Sequence, residues 1–304
     1  MLFLFLGCKD NSPSQISLVN VGQFSNGSQA IRVVASGNYL YLANHSDGLR
    51  IFDISNPKSL TNVCHVSPNL SGAFFSVAIF GTNAFIADPN YGLLIYNISN
   101  PTNPVISSQT RDTNIFGAYT YCVAVSGNYA YAANYNGGVL IYDVSNPTNP
   151  INVGKITNAP PSRLVSQVAI SGHFAYLAGE GYGLKTYDIT DPTNPTFVSK
   201  IFTNETIRNL EVSNNQLYAA SGYNGLRVYN ISNSLGPNLI GFVTNGFFAE
   251  GVKPCRATLP IWQTDKMDCA CMTFPIQPPQ STSAISKKVC HQLGMWRLQT
   301  IMFI

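Results

Sequence analysis

Residues 31–252 break into short, mostly apolar runs separated by polar turn residues, with large and small side chains alternating and no helical period. The third copy of the pattern shows it best, with runs at 121–126, 129–133, 138–144 and 150–156. Val, Ile, Tyr and Ala dominate these runs, as expected of strands. The first two are joined by Ser126-Gly127-Asn128, a tight hairpin signal, because Gly and Asn tolerate positive φ. The third run ends in Asp143, whose side chain can bond backbone two residues on. Pro147 and Pro150 then keep the link to the fourth run out of any ladder.

Aligned on the glycine that opens the third run, five copies appear: Gly48 to Asp53, Gly92 to Asn97, Gly138 to Asp143, Gly183 to Asp188 and Gly225 to Asn230. Their spacing of 42 to 46 residues is that of a solenoid, propeller or array. Four antiparallel strands per copy predict an all-β protein, a β-propeller with five complete blades plus partial ones. The blades start near Ile31, Phe75, Tyr121, Val165 and Arg208, and Gly246 to Val252 opens a sixth. Residues 16–24 match the fourth strand at 150–156 and are expected to complete the last blade.

These units resemble those of LVIVD-repeat proteins, bacterial surface or exported β-propellers whose third strand is a hydrophobic run ending in Asp. The resemblance covers about residues 17–252 and implies the fold and export. It implies no chemistry, because that family has no agreed reaction.

The whole chain carries a net charge of +3, but this is misleading. Residues 253–304 hold six Lys or Arg against two Asp, leaving eleven against twelve acids in residues 1–252. The repeats therefore have no basic stripe, and nucleic acid is not an expected partner. No cofactor is expected either.

The two ends of the chain differ from the repeats. Residues 1–16 read as a signal or lipoprotein-like segment and linker: a short apolar run stops at Gly7-Cys8, and Cys8 is the candidate lipid anchor. The run falls short of the roughly 20 apolar residues a membrane-crossing helix needs. Export follows, to the cell surface, the periplasm or the outer membrane of a bacterium, with the membrane met only through that anchor.

After Val252 the repeat vanishes, and residues 253–304 contain both tryptophans. Shifting the reading frame by one base restores it. Whatever synonymous codons are used, the junctions Trp262 with Gln263, Met267 with Asp268 and Met272 with Thr273 encode Ala, Gly and Asp. Those residues recur at the spacing of Ala43, Gly48 and Asp53. Residues 253–304 are thus expected to be an out-of-frame tail, disordered or poorly packed and outside the fold. Five blades alone would then leave an apolar face open at each end of the arc. Cys255, Cys269, Cys271, Cys290 and His291 in this tail lack zinc-knuckle spacing, and no metal site is assigned.

No nucleophile elbow, phosphate loop or zinc-protease motif occurs, and no catalytic residue is assigned. Residues shared by all copies, such as the Asp53 series, are structural on this reading. Function is sought where copies differ on one face. The loops between second and third strands supply Asp88, Tyr91, Asn134, Tyr135, Glu180, Tyr182, Tyr223 and Asn224 as candidate ligand contacts. Aromatic rings beside amides and carboxylates suit stacking on sugars or gripping peptide. The plainer alternative is that the tyrosines cover blade edges and the polar residues form turns. On the innermost strands Arg32, Ser76, Cys122, Gln167 and Asn209 share one position and are expected to line the channel.

The expected function is an exported or surface propeller that binds protein or carbohydrate without catalysis. The alternative is a propeller hydrolase or lyase acting on polysaccharide or a phosphodiester, with Asp88 and Glu180 as its acids.

Overall fold

The computed structural model describes residues 2–6, 19–24, 29–56, 60–68, 72–111, 119–157, 164–181, 183–201, 206–233, 236–243, 249–254, 260–264, 270–271 and 300–303. Five four-stranded antiparallel sheets, each in simple sequence order, are arranged in a ring as a β-propeller. Blade 1 comprises Arg32–Ser36, Tyr39–Ala43, Leu49–Asp53 and Thr61–Val66. Blade 2 comprises Ser76–Phe80, Asn83–Asp88, Gly92–Asn97 and Val105–Thr110. Cys122–Ser126, Tyr129–Ala133, Val139–Asp143 and Ile151–Ile156 form blade 3. Gln167–Ser171, Phe174–Ala178, Leu184–Asp188 and Thr196–Ile201 form blade 4. Blade 5 is Asn209–Ser213, Gln216–Ala220, Leu226–Asn230 and Asn238–Val243. The third-copy strands predicted from sequence thus stand within a residue of their observed ends.

Period-two alternation explains how the blades stack. In Tyr39–Ala43, Tyr41 packs against Phe74, Val77 and Ile86 of blade 2, while Leu40 and Leu42 point to the opposite face. The same division repeats at each seam: Phe85 faces blade 3, and Tyr131 faces Val168 and Leu177 of blade 4. A fully buried leucine on such a face contributes about 1.5–3 kcal/mol. Burial pushes the phenols of Tyr131 and Tyr176 up to about 12, which marks them as core residues rather than proton carriers. Every blade carries a register shift between its third and fourth strands, as between Ile141 and Tyr142, which twists the outer strand.

The ends of the arc differ from expectation. Ala249–Pro254 begins a further sheet with Pro260–Thr264 and Ala270–Cys271, and its Ala249 and Val252 cover Tyr218, Ala220, Leu226 and Val228 of blade 5. On the free face of blade 1, Leu40 and Leu42 are fully buried and Phe52 nearly so. The expected open apolar faces are therefore absent at both ends. Val19–Phe24 is a strand, but it pairs with Leu2–Leu6 rather than completing a blade. Leu2–Leu6 also runs parallel to Thr300–Phe303, its uninterrupted apolar sequence suiting the middle of a sheet. Cys8, Cys255, Cys269, Cys290 and His291 lie outside the described residues.

Candidate functional site

The inner strands bring their equivalent side chains together on the ring axis. Arg32 enters from blade 1 and crosses it. Its Nη1 lies 3.6 Å from Cys122 Sγ and 3.5 Å from Gln167 Oε1. Its Nη2 donates to Glu211 Oε1 at 2.9 Å and approaches the Leu210 carbonyl at 3.4 Å. Asn209, with its amide oxygen 3.3 Å from Arg32 Nη1, turns its NH2 to the Val252 carbonyl. Ser76 Oγ accepts from the Val123 N–H at 3.3 Å. Burial alone would lower the Arg32 pKa, but the Glu211 carboxylate and the Cys122 thiol outweigh it and hold the guanidinium above its usual value. The predicted channel-lining set does converge, with its donors and acceptors turned on one another across blades 1, 3, 4 and 5. Sequence reasoning missed Glu211, two positions along the strand from Asn209.

At one end of the ring, the loop between second and third strands has four residues before the invariant glycine. In blade 2 the first is Asp88, which is wholly buried. It accepts the N–H groups of Ala73 (2.9 Å), Asn90 (2.8 Å) and Tyr91 (3.0 Å). Burial raises its pKa, against the pull of those three bonds and of Arg111. Asn134 holds the same place in blade 3, buried, and accepts from Thr120 Oγ1 at 3.2 Å. Asp88 is thus engaged by its own turn and by the Ala73 N–H, and Asn134 by Thr120. Tyr91 likewise packs half-buried on the seam between blades 1 and 2. Tyr223 and Asn224 are exposed, Tyr223 at 79%. Tyr182 lies outside the described residues.

The second loop position behaves differently. It holds His45, Pro89, Tyr135, Glu180 and Gly222 in the five blades. Beside it stands the residue just before the axial position: Ile31, Phe75, Tyr121, Ser166 and Arg208. From these two positions a run of edge-to-face contacts forms. Ring centroids are 4.9 Å apart for His45 and Phe75, 5.1 Å for Phe75 and Tyr121, and 5.3 Å for Tyr121 and Tyr135. Tyr119 packs on Tyr121 at 6.4 Å. An open depression of about 580 Å3 lies against this run, lined by His45, Phe75, Pro89, Asn90, Tyr119 and Tyr121. That volume suits a small ligand or a short stretch of a larger one. Burial raises the pKa of Tyr121 and of Tyr135, and the Glu180 carboxylate adds to both.

Of the predicted loop residues, Tyr135 packs on Tyr121 beside the depression, and Glu180 is exposed on the next blade. Phe75 and Tyr121 were legible only as blade starts. Their signal was one aligned position in the repeat, adjacent to the axial one, where two of five copies carry a ring. Among the described residues, no cluster of three His, Cys, Asp or Glu could hold a metal ion.

Comparison with known structures places the fold alone. The chain is similar to the β-propeller domain of Cps50 (Swd1) from Myceliophteria thermophila, with a TM-score of 0.64 at 12% identity over 84% of this chain and 85% of that one. It is also similar to the computationally designed Ika8 protein, with a TM-score of 0.60 at 9% identity over 82% of this chain and 84% of that one. No curated protein matches the sequence. The LVIVD repeat model matches five times, at residues 27–67, 71–113, 117–158, 162–203 and 206–245. Those matches coincide with the five observed blades and span more than half of the sequence, so the chain belongs to the LVIVD repeat family.

Proposed function

We propose that this propeller is a non-catalytic binding module that takes a protein or carbohydrate ligand on the face bearing the aromatic depression. One observation carries the reading: loop and strand-entry positions that differ between copies gather His45, Phe75 and Tyr121 around one open cavity, with Tyr135 packed on Tyr121. A ring built from near-identical blades has no structural need for such a cluster on one arc only. Exposed aromatics held on a rigid scaffold give contact area at small entropic cost. The enzyme reading loses support, since Asp88 is buried and holds a turn.

Export completes the proposal, with Cys8 acylated and the propeller held at the bacterial surface or in the periplasm. Labelling with an alkyne fatty acid should mark the wild-type chain and fail with Cys8→Ser; equal labelling would refute the anchor. For the binding face, immobilised protein is probed on glycan and peptide arrays. Hits abolished by Tyr121→Leu, with melting unchanged, support the reading. No hits would overturn it, and turnover of a bound glycan that Glu180→Gln abolishes would replace it with the enzyme.

A further inference from the structure

The tilt of the rings says what kind of group the depression takes. Successive planes along His45, Phe75, Tyr121 and Tyr135 are inclined by 62°, 81° and 65°. A pyranose stacks best on one flat, open ring. Rings set steeply to one another offer no single flat platform, and the parts of their faces left open present negative π-density in several directions, which suits a small rounded group.

Charge agrees with shape. Glu180 is exposed on the neighbouring blade and close enough to act electrostatically on both Tyr121 and Tyr135. No Lys or Arg is among the residues lining the depression. Arg111, exposed nearby, interacts with Asp88.

Backbone conformation gives an independent sign. His45 and Tyr135 sit at the same loop position with φ of 49° and 44°, the left-handed region that bulky side chains avoid. Blade 5 makes the same turn with Gly222, at φ 56°. All three form the same bridge to the next blade: His45 with Phe74, Tyr135 with Val165, and Gly222 with Ala249. The turn itself therefore asks only for glycine. Placing a ring there costs about 1–3 kcal/mol of strain, a cost that clusters at ligand sites.

The geometry points to an organic ammonium ligand, of the choline or methylated-lysine kind, seated against Phe75, Tyr119 and Tyr121, with Tyr135 packed behind Tyr121 and Glu180 exposed on the next blade. This rests on the reading of that face as a binding face. Cation–π attraction supplies the affinity and Glu180 the long-range pull.

The test is titration of the full chain with choline and with its neutral isostere 3,3-dimethylbutan-1-ol, followed by tyrosine fluorescence or ligand NMR. Choline should bind about tenfold more tightly than the isostere, the margin expected of a partly desolvated cation on several rings. Glu180→Gln and Tyr135→Gly should each weaken choline severalfold with the fold intact, since glycine is native to that turn in blade 5. A trimethyllysine peptide and phosphatidylcholine vesicles then distinguish the source; whichever binds more tightly names it. Equal affinity for the isostere, or no choline binding, overturns the ammonium assignment. If choline fails while array hits remain sensitive to Tyr121→Leu, the binding face stands and only its ligand class falls. If the arrays are also blank, both fall.

Discussion

At one end of the ring every blade turns from its third strand into its fourth with the same device. Asp53, Asn97, Asp143, Asp188 and Asn230 each accept the N–H two residues on, at 2.8 or 2.9 Å. At the opposite end the second loop position reads His45, Pro89, Tyr135, Glu180 and Gly222, no two alike. A turn that recurs in five places solves a folding problem that recurs in five places. A position free to differ is one where folding asks little, so its occupants are available for a ligand. The second end is not uniformly free, however. Its first loop position is buried and structural, as Asp88 and Asn134 show, while His45, Tyr135 and Glu180 at the second and Tyr223 at the third keep exposed surface.

The ring axis belongs with the structural end although its residues also differ, and breaking it should have a large effect. Arg32 and Glu211 have side-chain exposures of only 14% and 15%. Arg32→Met should destabilise the protein by about 1–3 kcal/mol, because the part-buried Glu211 loses its charge-assisted hydrogen bond. Changing both to apolar residues should restore most of that in urea melts. If the single variant is neutral, the axis is solvated and is not part of the framework.

Next comes the glycine that opens each third strand. Gly48 has φ 93°, and a Cβ there would stand 2.1 Å from the Val66 carbonyl oxygen. Gly48→Ala should cost about 1–3 kcal/mol or more from backbone strain and that clash. The same change at Gly37, where φ is also positive but the space is open, should cost less.

Asp88 gives a smaller effect of opposite sign. Burial raises its pKa, so the folded protein pays to keep it charged at neutral pH. Asp88→Asn, the residue that blades 1 and 3 use at this place, should raise the melting temperature at pH 7. The gain should fade as pH falls from the raised folded pKa towards the ordinary value of 3.8, because the wild-type acid is then neutral as well. A lower melting temperature at pH 7 would mean that the bond from Ala73 to the second carboxylate oxygen, which Asn cannot accept, outweighs the cost of the buried charge.

The smallest effect is expected from the uniform turns. Hydrogen bonds from Ser55, Ser145 and Thr190 hold the carboxyls of Asp53, Asp143 and Asp188 below their usual pKa. Their contribution is present above the unfolded value and is lost as pH falls through the lowered folded one. Replacing all three by Asn, as at Asn97 and Asn230, should leave neutral-pH melting nearly unchanged and flatten the loss of stability below about pH 4. A large loss at pH 7 would show that charge, not the accepted N–H, makes the turn.

The repeat was enough to locate the blades, because strand alternation, Ser-Gly-Asn hairpins and Asp or Asn turns are local and recur five times. It also placed Arg32, Ser76, Cys122, Gln167 and Asn209 at one depth on the axis. It did not show that Arg32 spans the axis to Glu211, since the two are 179 residues apart and meet only when the ring curves. The loop tyrosines looked alike in sequence, yet they occupy three different turn positions. Tyr91 covers a seam, Tyr223 is largely exposed, and Tyr135 packs on Tyr121.

Sequence alone therefore determined the fold, the blade count in the repeat region and the family, all of which rest on contacts within one copy. Tertiary structure decided which variable residues share a surface. Phe75, Tyr121 and Tyr135 come from the entries and loops of two blades, and His45 from a third. Their proximity is a property of the angle between sheets, which no single copy of the repeat encodes.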